Sequence, residues 1–80
     1  MTYMYHVGED FIFASYSVRP SQIISGAFMV SRDSGGKSDI QRDGMRLKDA
    51  LDLAERLAKD EARRLETSVG RNFADQDIPV

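Results

Sequence analysis

Eighty residues with a formal net charge of −2, 41% hydrophobic side chains and no cysteine suffice for one hydrophobic core but not two, and they exclude disulfide staples and thiol catalysis. There are six basic and five acidic residues up to Lys48, then five basic and eight acidic from Asp49 onward, so neither half carries the concentrated cationic footprint of a nucleic-acid binder. No apolar run approaches the roughly 20 residues of a membrane span, and the first residues lack the basic-then-apolar order of a secretion signal; the chain reads as soluble and cytoplasmic, with no membrane partner.

The front half has the composition of strands separated by turns. Residues 2–7 are short and aromatic, Gly8-Glu9-Asp10 interrupts them, and residues 11–18 (FIFASYSV) are rich in aromatic and β-branched side chains. A hairpin is expected, in one of two registers. A two-residue Gly8-Glu9 turn sets Tyr5 opposite Ile12, and a three-residue loop sets it opposite Phe13. Arg19-Pro20-Ser21-Gln22 then breaks the pattern, because proline donates no ladder hydrogen bond. Residues 23–32 (IISGAFMVSR) resume as a third strand with Gly26 as a candidate bulge. Asp33-Ser34-Gly35-Gly36-Lys37 is the clearest turn, and residues 38–42, polar around Ile40, suit a fourth strand at a sheet edge.

From Leu47 the period changes. At about 100° per residue, Leu47, Ala50, Leu51, Ala54, Leu57, Ala58, Ala62, Leu65 and Val69 fall in one arc, which predicts a helix of about 23 residues over 47–69. Gly70 is positioned to end it as a left-handed cap. Four alanines recurring every fourth residue, from Ala50 to Ala62, form a small-residue ridge that allows close packing. Leu53 lies at the margin of the arc. Glu61 lies inside it, so either the helix overhangs its sheet or Glu61 meets a cation. Residues 72–80 show no period and read as a flexible tail after a single domain of residues 1–71.

Motifs for chemistry are scarce. Gly36-Lys37-Ser38 resembles the end of a phosphate-binding loop, but that pattern requires glycine where Ser31 stands and a helix directly afterwards. His6 with Glu9 and Asp10 supplies too few well-oriented groups for a metal or an acid–base cluster, and no serine has an evident base. No catalytic, cofactor or metal residue is assigned, and catalysis has no positive support. Strand aromatics with Arg19, Arg32, Arg42 and Arg46 could stack and pair with a single-stranded nucleic acid, an alternative the charge balance disfavours.

The expectation is therefore an α+β two-layer sandwich: an antiparallel sheet of three or four strands in the order β-β-β-(β)-α, covered on one face by one long C-terminal helix. Such a sheet has a second face, and residues 11–18 send bulky groups both ways. That surplus points to a small protein-interaction module, a homodimer or a partner of another protein, with Tyr3, Tyr5, Phe11, Phe13, Tyr16, Leu53 and Glu61 as the candidate surface.

Overall fold

The computed structural model describes residues 2–74. Strands β1 (Thr2–Val7), β2 (Ala14–Pro20), β3 (Phe28–Ser34) and β4 (Lys37–Met45) precede helix α1 (Leu47–Arg64), and a further strand β5 (Val69–Ala74) follows it. The described residues form a five-stranded antiparallel sheet in the order β4-β3-β2-β1-β5. The helix starts at the β4 edge and hands the chain across one face to the β5 edge.

The chain belongs to the α+β class, with corrections to the expected strands. The first hairpin adopts neither short turn. Tyr5 pairs with Tyr16 and Val7 with Ala14, so residues 8–13 form a six-residue loop closed by the Phe13 amide donating to the Val7 carbonyl at 2.8 Å. Burial explains this register. It sets Tyr5, Val7, Ala14, Tyr16 and Val18, all buried, on the helix side, and a one-residue slip would turn them over. Gly8 makes the loop possible. Its φ is +123°, and a Cβ there would lie 1.9 Å from the Phe11 carbonyl oxygen.

The third strand starts later than expected, at Phe28, because residues 21–27 form a closed loop. The Ser21 hydroxyl accepts from the Ile23 and Ile24 amides at 3.1 and 3.0 Å, and Gly26 sits in this loop rather than at a bulge. The register irregularities fall between β3 and β4 instead, around Val30. Gly35 and Gly36, with φ of +58° and +82°, join Ser34 to Lys37 in the doubly left-handed turn that matches strand twist. The polar fourth strand extends to Met45.

Helix α1 is five residues shorter than expected. It closes after Arg64, where the Thr67 amide donates to the Ala62 carbonyl at 2.8 Å and the Glu66 amide to Arg63 at 3.2 Å. That pair of bonds is a Schellman closure, with Glu66 (φ +56°) in the position glycine usually takes. Gly70 instead lies in β5, paired with His6. The strand β5 continues to Ala74, past the boundary expected at residue 71. Residues 75–80 of the expected tail lie outside the described residues.

Ala50, Ala54, Ala58 and Ala62 are buried against Tyr5, Val7, Tyr16, Val18 and Val30 in one cluster. The alanine ridge lets the helix axis approach the sheet closely, and the half-buried Leu47, Leu51, Leu53 and Leu57 seal its flanks. The opposite sheet face mixes Met4, Met29 and Ile40 with polar side chains. There the Ser17 hydroxyl donates to Asp33 Oδ2 at 2.6 Å, Arg19 Nη2 donates to the Ser31 hydroxyl at 3.1 Å, and His6 Nδ1 lies 2.8 Å from the Ser15 hydroxyl. Of the large apolar side chains on this face, Met29 is buried and Ile40 is exposed. Among the described residues no helix is long and apolar enough to cross a membrane.

Candidate interaction site

The seven side chains read as a candidate surface separate into three groups. Tyr5, Tyr16 and Glu61 are buried. Tyr3 and Leu53 are half-buried against the core. Phe11 and Phe13 are exposed.

Glu61 takes the second of its two expected options, a cationic partner. Arg32 Nε and Nη2 donate to its two carboxylate oxygens at 3.0 and 2.7 Å, and the Tyr16 hydroxyl donates to Oε1 at 2.7 Å. The paired guanidinium holds the Glu61 carboxyl below the usual carboxylate range, against the opposing effect of burial. Burial, together with the hydrogen bond to Glu61, pushes the Tyr16 hydroxyl up. Both carboxylate oxygens of Glu61 are thus engaged, and the network fastens the helix to the sheet.

The exposed pair is different. At the pole where β1 ends and α1 closes, Phe11 and Phe13 meet edge to face with ring centroids 5.1 Å apart, a geometry favoured by the ring quadrupoles. Phe11 remains 67% exposed and Phe13 and Leu65 each 44%. Together with Glu9, Asp10, Glu66 and Thr67 they line an open cleft of about 310 Å³, and Ile12 is exposed in the same loop. The loop is held in place: Ser34 Oγ donates to the Phe13 carbonyl at 3.0 Å, and the Gly8 amide donates to the Ser68 carbonyl at 2.9 Å. Apolar side chains on a fixed backbone lose little entropy when they are covered.

Ile12, Leu65 and Glu66 are not among the candidate surface residues of the sequence reading, and Glu9 and Asp10 enter it only beside His6. Leu65 sits in the helix arc by periodicity, and only the early closure at Glu66 turns it outward. One sequence signal did exist: three consecutive bulky residues, Phe11-Ile12-Phe13, directly after Gly8-Glu9-Asp10 cannot all face one side of a strand.

The His6–Ser15 contact pairs a base with a hydroxyl, but it lies on the sheet face away from the helix, and among the described residues no third group orients the imidazole. Among the described residues no three His, Asp or Glu side chains gather as a metal would require. No family model, curated protein or solved structure matches this chain.

Proposed function

We propose that this chain is a small protein-interaction module, a two-layer α+β scaffold that docks a protein partner at the Phe11–Phe13–Leu65 cleft. The observation that carries the reading is the solvent exposure of four large apolar side chains, Phe11, Ile12, Phe13 and Leu65, at one pole. Single exposed apolar residues need no explanation, whereas a contiguous rigid group is the usual mark of a binding surface. Glu9, Asp10 and Glu66 around it oppose a phosphate backbone, which weighs against the single-stranded nucleic-acid alternative.

The test is affinity capture from native extract with two baits, the wild-type chain and Phe11→Asp, followed by identification of both protein and nucleic acid. A protein retained by the wild type and lost from Phe11→Asp supports the cleft. Equal retention on both baits would move the site elsewhere, and retained nucleic acid released by moderate salt would favour the alternative.

A further inference from the structure

We propose that the occupant of the cleft is the 21–27 loop of a second copy of this chain, so that copies associate head to tail. The inference rests on the cleft being a docking site and names what docks there. Its basis is a second apolar feature at the opposite pole. Ile23 is 84% exposed and Ile24 49%, the former being the most exposed large apolar side chain among the described residues. The loop that carries them is fixed rather than loose: besides the two amide bonds to the Ser21 hydroxyl, the Ser21 amide donates to the Ala27 carbonyl at 2.8 Å and the Ala27 amide to Ile24 at 3.3 Å. The Ile24 methyl lies 3.1 Å from where a Cβ of Gly44 would stand, which seats the loop against the end of β4. One pole is therefore an open cleft in which Phe11, Phe13 and Leu65 sit among Glu9, Asp10, Glu66 and Thr67, and the other carries an exposed apolar loop, the knob.

Charge matches the shapes. The cleft is lined by three acids, Glu9, Asp10 and Glu66, and no base. The knob loop has no charged residue, and the adjoining residues 42–49 hold Arg42, Arg46 and Lys48 against Asp43 and Asp49. A twofold contact between two clefts would set each acidic rim against its own copy, which like-charge repulsion opposes. A twofold contact between two knobs would leave both clefts open. Cleft to knob is the pairing in which apolar surface is covered and the acidic rim meets an uncharged loop whose neighbours carry three bases against two acids. Being heterologous, it does not close on itself and extends from copy to copy.

Sedimentation velocity tests it with wild type, Phe11→Asp and Ile23→Asp over about 10 μM to 1 mM, the range suited to a small transient contact. Both substituted side chains are exposed, so melts should match wild type and confirm folding. The wild type should grow in mass with concentration beyond a dimer. Each variant alone, lacking one half of the contact, should remain monomeric. An equimolar mixture should double in mass and stop, because it contains one intact cleft and one intact knob per pair. A wild-type monomer throughout, either variant self-associating like wild type, or a mixture that stays monomeric would overturn the proposal. A synthetic peptide alternating isoleucine and arginine, titrated while the Phe11 and Phe13 ring resonances are followed, separates the two failures. Shifts in a monomeric wild type, absent in Phe11→Asp, would keep the docking cleft and discard the second copy, and no shifts would discard both.

Discussion

Tyr5 and Tyr16 stand directly opposite each other on β1 and β2, and each has an arginine as its next neighbour outward along the same row: Arg71 pairs with Tyr5 and Arg32 with Tyr16. The helix answers this row with two carboxylates. Glu61 meets Arg32, and Glu55 meets Arg71 at 2.6 Å as well as Lys59 at 3.1 Å. Glu55 and Glu61 are six residues apart, about 120° on the helix, with Ala58 midway between them. The small Ala58 lets the helix settle on the two rings, and the carboxylates reach down on either flank. This arrangement fixes the rotation of the helix on the sheet as well as its distance.

The Glu61 side of that clamp should dominate, because Glu61 is buried and Glu55 is not. Glu61→Ala leaves the Tyr16 hydroxyl and the Arg32 guanidinium without their acceptor. Arg32 retains 34% side-chain exposure and recovers some hydration, so the expected loss is about 1–3 kcal/mol in a denaturant melt. Glu61→Gln keeps an acceptor and should lose less. Equal and negligible effects of the two would show that the network contributes nothing to folding.

Acid should weaken the fold through the same group. The Glu61 carboxyl is held below its ordinary range, so its contribution is fully present above the unfolded-state value of about 4.3 and is lost as pH falls through the lower folded-state value. Stability of the wild type measured from pH 6 downward should therefore fall more steeply below about pH 4.3 than that of Glu61→Gln. Parallel curves would remove Glu61 from the acid response.

The helix is legible from Leu47 because a 3.6-residue period over several turns leaves little choice, and the alanine ridge agrees with it. Its end is not. Leu65 and Val69 continue the apolar arc, and Gly70 looks like a stop. The chain closes earlier only because Glu66 accepts a left-handed conformation, which propensity argues against. β5 is hidden for a related reason: Val69 continues the helix arc, and the residues after Gly70 carry no alternation. Its strand identity comes from the free edge of β1, a nonlocal cause. In the candidate site, Phe11 and Phe13 stand out in the sequence as bulky groups with nowhere to go, yet their composition reads as strand. Tyr5 and Tyr16 looked similar in sequence and became core because their register places them beneath the helix.

Gly8 should tolerate no side chain. With φ at +123° and the Phe11 carbonyl 1.9 Å from an added Cβ, Gly8→Ala must either open the 8–13 loop or shift the end of β1. A loss of about 1–3 kcal/mol is expected, with displaced Phe11 and Phe13 resonances. An unchanged melt and unchanged ring resonances would contradict the tight loop.

Glu66 should be replaceable with a gain in stability. A non-glycine residue at φ +56° carries a cost of about 1–2 kcal/mol that glycine avoids, offset in part by the greater freedom of glycine in the unfolded chain. Glu66→Gly is expected to raise the melting temperature slightly while removing one of the three rim carboxylates and so weakening docking at the cleft. That opposition would follow from a residue kept for binding at the expense of folding. A lower melting temperature would mean that the Glu66 side chain supports the helix end.

The strand β5 should decide whether the sheet holds. It pairs with every residue of β1, from Val7 with Val69 to Thr2 with Ala74, and it supplies Val69 to the margin of the core and Arg71 to Glu55. Without it β1 becomes an edge strand carrying the buried Tyr5 and Val7, an unpaired template for aggregation. Truncation after Ala74 leaves every one of these pairs in place. Truncation after Arg71 removes the partners of Thr2, Tyr3 and Met4 and should lower the melting temperature. Truncation after Ser68 removes the whole strand and should give a chain that unfolds or aggregates at ambient temperature. Thermal melts of the three truncations, with light scattering to detect aggregation, are therefore expected to fall in that order. Indistinguishable melts for the Ala74 and Ser68 endpoints would mean that β1 needs no outer neighbour and that β5 contributes nothing to the fold.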